Sequence, residues 1–243
     1  MEASGSRPCA VEARAVTKSF GARSVLRGVD LSVRPGESLV IFGPNGAGKT
    51  TLLKILATVM NPTSGAVLVN GRDVRKEPER CRQQIGVVSH QTFLYGNLTG
   101  RENLEFYCRM YDVPRAAERV REVAEMVQMS PRLHDRVYTL SRGMQQRLSI
   151  ARALLHRPPI MLLDEPETGL DQQALGVLWQ TLQAGGEGRR TIILTSHSLE
   201  RGLELGQRLV ILFRGRVAYE AACRSLDLTG LRETYQYCTG ARK

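Results

Sequence analysis

The chain has 243 residues, of which 42% are hydrophobic and 24% charged. This composition is typical of a globular protein with a packed core and excludes a wholly disordered chain. The formal net charge is +10, but the basic residues, mostly Arg, are scattered along the chain. Scattered charge favours a compositional bias over a nucleic-acid-binding stripe, so no specific nucleic-acid partner is expected.

Neither a membrane span nor a secretion signal is predicted. The longest apolar runs, such as 209–213, have the length of a strand and fall short of the roughly 18 to 20 residues that cross a bilayer. The N-terminus lacks a basic stretch followed by an apolar one. The five cysteines are odd in number and form no CxxC pair, which is typical of reduced thiols. We therefore expect an intracellular protein.

The first predicted elements are short strands that lead to a helix. Residues 1–10 are small and polar and are predicted to form a flexible leader. The run at 38–42 is nearly all apolar, as in a strand buried on both faces, and it precedes a glycine-rich loop. The other predictions here are strands at 11–16 and 31–33, turns at 17–21 and 35–36, and a helix at 49–58.

Later in the chain, the apolar pattern changes from strand to helix and back. Short apolar runs predict strands at 66–69, 85–88, 160–163, 192–194 and 209–213. Between 101 and 156 the apolar residues recur at helical spacing instead. This order indicates an α/β fold with inserted helices. The predicted organisation is a core of 11–94 and 158–220, a helical subdomain of 95–157 and a C-terminal tail of 221–243.

The glycine-rich loop fits the pattern GxxxxGK[ST], between a predicted strand and a predicted helix. Glycines let successive backbone N–H groups wrap a phosphate, and the helix N-terminus adds the positive end of its dipole. The Lys49 ammonium would neutralise β- and γ-phosphate oxygens, and the Thr50 hydroxyl would bind Mg²⁺. The predicted nucleotide site comprises Gly43, Pro44, Asn45, Gly46, Ala47, Gly48, Lys49, Thr50 and Thr51.

An acidic pair follows the apolar run 160–163. Asp164 would lie at the carboxyl end of a buried strand, where open α/β sheets bind ligands, and would bind the Mg²⁺ shell. Glu165 would polarise a water for in-line attack on the γ-phosphorus. Because strand ends are often charged, the pair indicates hydrolysis only together with the glycine-rich loop. The two motifs together predict a nucleotide hydrolase and leave its subclass open.

The segment Leu140-Ser141-Arg142-Gly143-Met144 precedes a predicted helix. With it, the chain resembles the ATP-binding subunits of ABC transporters, whose signature is LSGGQ. Leu140, Ser141 and Gly143 match that signature, whereas Arg142 replaces the first glycine and Met144 the glutamine. A Ser hydroxyl and a glycine N–H at a helix N-terminus can form a second anion site. The resemblance implies that Ser141 and Gly143 close over ATP held by a partner subunit.

The resemblance runs from about residue 11 to 217 and implies roles for four further residues. Phe20 matches the aromatic that stacks on adenine, although on pattern alone a core aromatic fits equally well. Gln91 matches the glutamine that reaches Mg²⁺ and couples to the membrane subunits. Asp171 matches the D-loop aspartate, and His197 matches the switch histidine that contacts the γ-phosphate.

The resemblance also implies a fold, an activity and partners. The fold is an α/β P-loop NTPase, an ABC ATPase core with a small antiparallel β lobe and an inserted helical subdomain. The implied cofactors are ATP and Mg²⁺, and the implied activity is ATP hydrolysis coupled to transport. Two copies are expected to form a head-to-tail homodimer. The dimer would dock on separate integral membrane permease subunits at the inner face of the cell membrane.

A narrower resemblance is to the ATPase subunit of the haem exporter used in cytochrome c maturation. The stretches that carry it are 56–65, 88–91, 98–107, 140–147 and 197–203. Drug- and polysaccharide-exporting ATPases share many of them and are the alternative interpretation. No CxxCH motif is present, so no direct contact with haem is expected.

Two rival classes are disfavoured by the sequence. A soluble ABC protein that acts on ribosomes or DNA would usually carry two ATPase domains or a long coiled coil, and this chain has one domain and no heptad run. An inactive regulatory or structural subunit is disfavoured because Lys49, Asp164, Glu165 and His197 are all present.

Overall fold

In the computed structural model, the described residues are 9–167, 175, 176, 178, 179 and 190–240. The strands are β1 Val11–Phe20, β2 Arg23–Val33, β3 Ser38–Phe42, β4 Ser64–Val69, β5 Arg72–Asp73, β6 Ile85–Val88, β7 Ile160–Asp164, β8 Thr191–Thr195, β9 Arg208–Phe213 and β10 Arg216–Ala222. The helices are α1 Lys49–Leu56, α2 Pro78–Arg82, α3 Gly100–Met110, α4 Ala116–Met126, α5 Arg142–Leu154, α6 Leu199–Leu205 and α7 Leu228–Thr239.

These elements divide between two compact units. The first unit spans 1–84 and 191–243, and the second spans 85–190. The predicted division into a core of 11–94 with 158–220 and a subdomain of 95–157 has other bounds and stays a prediction. Residues 1–8 of the predicted leader lie outside the described residues.

The first unit contains an antiparallel sheet and a group of mainly parallel strands. The antiparallel sheet has the order β2-β1-β4-β5. In the parallel group, β3 lies between β8 and β9, and β10 pairs antiparallel with β9. Every residue of β3 and β8 is buried, as in strands covered on both faces. The carboxyl ends of β3, β8 and β9 therefore meet at one edge, where the glycine-rich loop begins.

Two half-exposed segments of this unit differ from the sequence prediction. The predicted turn at 17–21 is wrong for its first four residues, because β1 continues to Phe20 and pairs there with Arg23. The chain reverses at Gly21, whose φ of +56° suits glycine. No strand was predicted at 216–222, where β10 alternates between exposed and half-buried residues. Such strands carry few apolar residues, so hydrophobic runs do not mark them.

In its described part, the second unit contains two paired parallel strands and the helices α3, α4 and α5. The predicted strands at 85–88 and 160–163 are confirmed, with Ile85 opposite Ile160 in the parallel register. The predicted helical spacing between 101 and 156 corresponds to α3, α4 and α5. Helix α3 begins with a capping box, in which Thr99 and Glu102 satisfy each other's backbone N–H groups. Throughout the described part of the chain, no helix has both the length and the apolar character needed to cross a bilayer.

Candidate functional site

The glycine-rich loop of the first unit has no room for larger side chains at two of its positions. A Cβ on Gly43 would lie 2.3 Å from the Leu212 carbonyl oxygen in β9. A Cβ on Gly48 would lie 2.7 Å from Leu26 Cδ2, and Gly48 also has a φ of +107°. The sequence motif therefore has a packing reason, because glycine lets the loop lie directly against neighbouring strands.

The end of this loop forms a cationic helix N-terminus. Lys49 is only 5% exposed, and its Nζ donates to the Gly43 carbonyl oxygen at 2.7 Å. Helix α1 has no acidic residue in its first turn, and Gly48 provides no side-chain cap. Thr50 and Thr51 are half-buried in the same turn. A buried ammonium, a helix dipole and nearby hydroxyls are the donor set that suits nucleotide phosphates and their magnesium ion.

His197 lies at the same sheet edge as this loop. It follows β8, whose Thr195 pairs with Ile41 of β3, and Ser196 N donates to the Ile41 carbonyl oxygen at 3.4 Å. The His197 side chain is exposed. The structure thus brings a histidine and the glycine-rich loop to one edge of the first unit. Ligands of open α/β sheets bind at this edge, beside the carboxyl ends of the parallel strands.

Phe20 lies at the end of β1 and is 48% exposed. The alternative that it is a core aromatic is therefore wrong. The Lys18 ammonium lies 5.2 Å from the centre of its ring, a cation–π contact. An exposed aromatic face of this kind can stack on a planar base.

The acidic pair lies in the second unit. Asp164 is the last residue of β7 and is buried, and Glu165 follows it half-buried. Glu165 has a φ of +50°, an uncommon conformation for a residue other than glycine, and such outliers concentrate at functional sites. The carboxyl end of β7 thus carries one buried carboxylate, Asp164, and one half-buried carboxylate, Glu165.

Ser141 and Gly143 form the N-terminus of α5. Ser141 is the N-cap, and its Oγ accepts from Met144 N at 3.3 Å. The first turn contains Arg142 and no acidic residue. Gln145 Nε2 donates to the Leu140 carbonyl oxygen at 3.0 Å, which fixes the approach to the helix. This is a second helix N-terminus with a polarity that favours an anion.

Gln91 is exposed in the segment between β6 and α3. Its carbonyl oxygen accepts from Ser89 Oγ at 2.8 Å, and Gln146 Nε2 of α5 donates to the Ser89 carbonyl oxygen at 3.3 Å. A cavity of about 450 Å³ opens between this segment and the start of α5. It is lined by His90, Gln91, Thr92, Phe93, Arg142, Gln145 and Gln146. The second unit therefore brings Gln91 and the signature helix together.

The predicted D-loop residue, Asp171, lies in 168–174, outside the described residues. Among the described residues, no three His, Cys, Asp or Glu side chains cluster as a metal site. The sequence prediction missed Arg152, a half-buried cation on α5 that contacts residues 87–95 around Gln91, the Gln91 segment. Its signal was weak, since an arginine in a helix usually reaches solvent.

The chain matches known families and proteins over most of its length. Residues 26–168 match the ABC transporter family. The chain is 34% identical to the linearmycin resistance ATP-binding protein LnrL of Bacillus subtilis, over 85% of this chain and 67% of the relative. It is 36% identical to the ABC transporter ATP-binding protein NatA of the same organism, over 87% of each. It is also 36% identical to the Nod factor export ATP-binding protein I of Burkholderia orbicola, over 89% of this chain and 72% of the relative.

Solved structures agree with these relatives. An ATP-binding subunit of an ABC transporter superposes with a TM-score of 0.84 at 30% identity, over 94% of this chain and 98% of the other. The ATP-binding cassette MJ0796, described as a dimer in a post-hydrolysis state bound to ADP and Pi, has a TM-score of 0.80 at 30% identity, over 89% of this chain and all of the other. With its P-loop NTPase core, antiparallel β lobe and helices, the chain belongs to the ABC transporter family, as an ATP-binding subunit whose ATPase activity is coupled to transport.

Proposed function

We propose that this protein is the ATP-hydrolysing motor of an exporter, acting as a homodimer on separate integral membrane permease subunits. The observation that carries the proposal is the glycine-rich loop, with the buried Lys49 ammonium at the uncapped start of α1. This arrangement suits a nucleotide polyphosphate. The proposed location is the inner face of the cell membrane, as a peripheral subunit, since the permease would supply the membrane-spanning part.

Within each copy, we assign the nucleotide contacts as follows. The loop 43–51 holds the phosphates, and Phe20 stacks on adenine. Glu165 polarises the attacking water, and His197 contacts the γ-phosphate. Magnesium, held by Thr50, Gln91 and Asp164, would draw charge from the phosphate oxygens. The N–H groups and ammonium of this chain hold the phosphates in line for attack.

The dimer proposal rests on the second helix N-terminus. Ser141 and Gly143 begin α5 with no acidic side chain in the first turn, so this surface favours an anion. We assign that anion to the ATP held by the other copy, with Asp171 next to the shared nucleotide. The relative MJ0796, described as a dimer with ADP and Pi, supports this arrangement.

Two interpretations of the transported cargo remain: haem, and a drug or polysaccharide. The linking stretches favour haem export for cytochrome c maturation, which stays a prediction. The named relatives serve linearmycin resistance and Nod factor export, and they support the alternative of a drug or polysaccharide exporter. In both cases the permease subunits would select the cargo, and no direct contact between this chain and haem is proposed.

Copurification tests the proposal. Tagged Glu165→Gln protein is expressed in its native host, and the membranes are solubilised in mild detergent with Mg·ATP. We expect multi-span permease proteins to copurify, and to be lost with the matched Lys49→Ala variant, which should not hold ATP. Copurification of haem-handling partners would favour haem export. Copurification of other permeases would favour a drug or polysaccharide exporter. Recovery only with ribosomes or DNA would overturn the transport assignment.

A further inference from the structure

Arg152 of α5 contacts the Gln91 segment on both sides of Gln91. Its Nη2 donates to the Val87 carbonyl oxygen, in β6, at 2.6 Å. Its guanidinium carbon lies 5.3 Å from the ring centre of Phe93. One side chain thus reaches the chain before Gln91 and the chain after it.

In the described part of the chain, the positive charge of Arg152 lies near tyrosine side chains and not near a carboxylate. Burial lowers its pKa, and the groups that face the charge are Tyr107 and Tyr111 rather than a carboxylate. The Tyr107 ring centre lies 5.4 Å from the guanidinium carbon. A guanidinium withdrawn from water needs compensation, and here the Val87 carbonyl oxygen accepts from Nη2 while two aromatic faces lie near the charge. Among the described residues, the buried Nε has no hydrogen-bond partner. This arrangement holds neighbouring chain segments instead of forming an ion pair.

Two further hydrogen bonds are made to backbone carbonyl oxygens of the Gln91 segment. Tyr107 Oη donates to the Phe93 carbonyl oxygen at 2.5 Å, and Gln146 of α5 donates to Ser89. Phe93 has a φ of +54°, which an aromatic residue rarely adopts. Such a conformation persists where surrounding contacts impose it. The Gln91 segment is therefore held in one conformation, mainly by α5.

We propose that Arg152 is a positioning residue for Gln91. By holding Val87 and Phe93, it fixes Gln91 relative to α5, whose N-terminus carries Ser141. A movement of α5 at its Ser141 end would then move Gln91 with it. The inference rests on the role proposed above for Gln91 at Mg·ATP. Arg152 itself does not contact the nucleotide.

The test compares Arg152→Lys with a matched control, Arg119→Lys. Arg119 of α4 is buried, and its guanidinium donates to the Leu154 and Leu155 carbonyl oxygens at the C-terminal end of α5, the end that also carries Arg152. Its described partners are those two carbonyl oxygens and Glu122 of α4, rather than the Gln91 segment. Both variants therefore lose a guanidinium, but only Arg152→Lys loses support of the Gln91 segment. Phe93→Leu is a second variant that removes the aromatic face at a half-exposed position and leaves the core intact. Thermal unfolding of each full chain checks that it folds.

Two measurements are made on the full chain. Hydrogen exchange of amides 87–95 without nucleotide reports the order of the segment directly. Steady-state ATPase activity is measured against ATP and against Mg²⁺. For Arg152→Lys and Phe93→Leu, we expect exchange about tenfold faster. We also expect kcat to fall about tenfold with KM for ATP nearly unchanged, because a displaced group costs turnover more than binding.

Gln91→Ala separates this inference from the proposed function. We expect it to lower kcat and raise the Mg²⁺ requirement, and we expect the double variant Gln91→Ala/Arg152→Lys to be no slower than Gln91→Ala alone. If Gln91→Ala leaves turnover unchanged, the proposed role of Gln91 fails, and the inference with it. If Gln91→Ala slows turnover but Arg152→Lys and Phe93→Leu match Arg119→Lys in exchange and kcat, the inference alone is overturned.

Discussion

Lys49 places a positive charge at the start of α1 on a side chain that is almost fully buried. Lys49→Ala removes the charge that we propose contacts the phosphates, but it leaves the loop glycines in place. We expect ATP affinity to fall at least about a hundredfold, since a charged hydrogen bond in a partly buried site contributes strongly. Titration calorimetry measures the Kd. Lys54→Ala, on the exposed face of the same helix, is the control, and an unchanged Kd for Lys49→Ala would contradict the assignment.

His156 carries a pH dependence of stability. Its ring stacks on Tyr111 with centres 4.0 Å apart, and its Nε2 lies 3.1 Å from the Ile85 carbonyl oxygen. Burial lowers its pKa from 6.5 to about 4. The folded state therefore stays neutral where the unfolded state binds a proton, so stability is lost as pH falls from 6.5 to 4. The loss attributable to His156 should reach about 3 kcal/mol of unfolding free energy.

Urea unfolding at several pH values checks this prediction. His156→Gln cannot titrate, so the difference in unfolding free energy between wild type and variant isolates the histidine from the carboxylates. We expect that difference to change between pH 6.5 and 4 and to be constant above pH 7.5. A constant difference over the whole range would mean that His156 is not held neutral by the fold.

Single residues could be predicted from the sequence where the chemistry of binding requires a particular residue type at a particular position. Phosphate binding needs glycines, a lysine and a hydroxyl in a fixed order, so the loop was visible as a pattern. The exposure of Phe20 could not be predicted in this way, because an aromatic residue beside a turn can lie in the core or in solvent, depending on the strand pairing. The aromatic contacts of Arg152 come from Phe93 and Tyr107, which are distant in sequence, so local spacing gave no sign of them.

Among the elements, β6 tolerates no side chain at Gly86. A Cβ there would lie 2.5 Å from Met161 Sδ and 2.6 Å from the Ala153 carbonyl oxygen. Gly86→Ala should therefore lower the unfolding free energy by about 1 to 3 kcal/mol through overpacking. Gly96→Ala is the control, because its nearest neighbour would be 3.8 Å away. Chemical denaturation compares the two, and equal stabilities would show that β6 and β7 pack more loosely than the distances indicate.

Elements were predictable to different degrees. The buried strands β3, β6, β7, β8 and β9 were found from continuous apolar runs, since both faces of such strands are covered. Strand β2 begins at Arg23 rather than at the predicted residue 31, because its first residues are polar and exposed. Helix α1 ends at Leu56, two residues before the predicted end. Helix ends and exposed strands depend on tertiary pairing, which a local pattern does not contain.

For the whole chain, the family could be predicted from the sequence, whereas the cargo could not. Relatives that are 34% and 36% identical to this chain are named for linearmycin resistance and for Nod factor export. The glycine-rich loop and the signature segment of this chain predicted its family, whereas relatives of similar identity with different named roles do not single out one cargo. The bounds of the two compact units also depend on long-range packing.

The mass of Glu165→Gln protein in solution, measured by light scattering after size-exclusion chromatography, tests whether ATP holds two copies of this chain together. Without the carboxylate that we propose polarises the attacking water, ATP should persist and hold two copies together. We predict a mass near 27.0 kDa without nucleotide and twice that with Mg·ATP, but not with Mg·ADP. The added variant Ser141→Arg should prevent the shift, because it places bulk and charge at the proposed interface. A Glu165→Gln protein that stays monomeric with Mg·ATP, or that still hydrolyses ATP, would contradict the account.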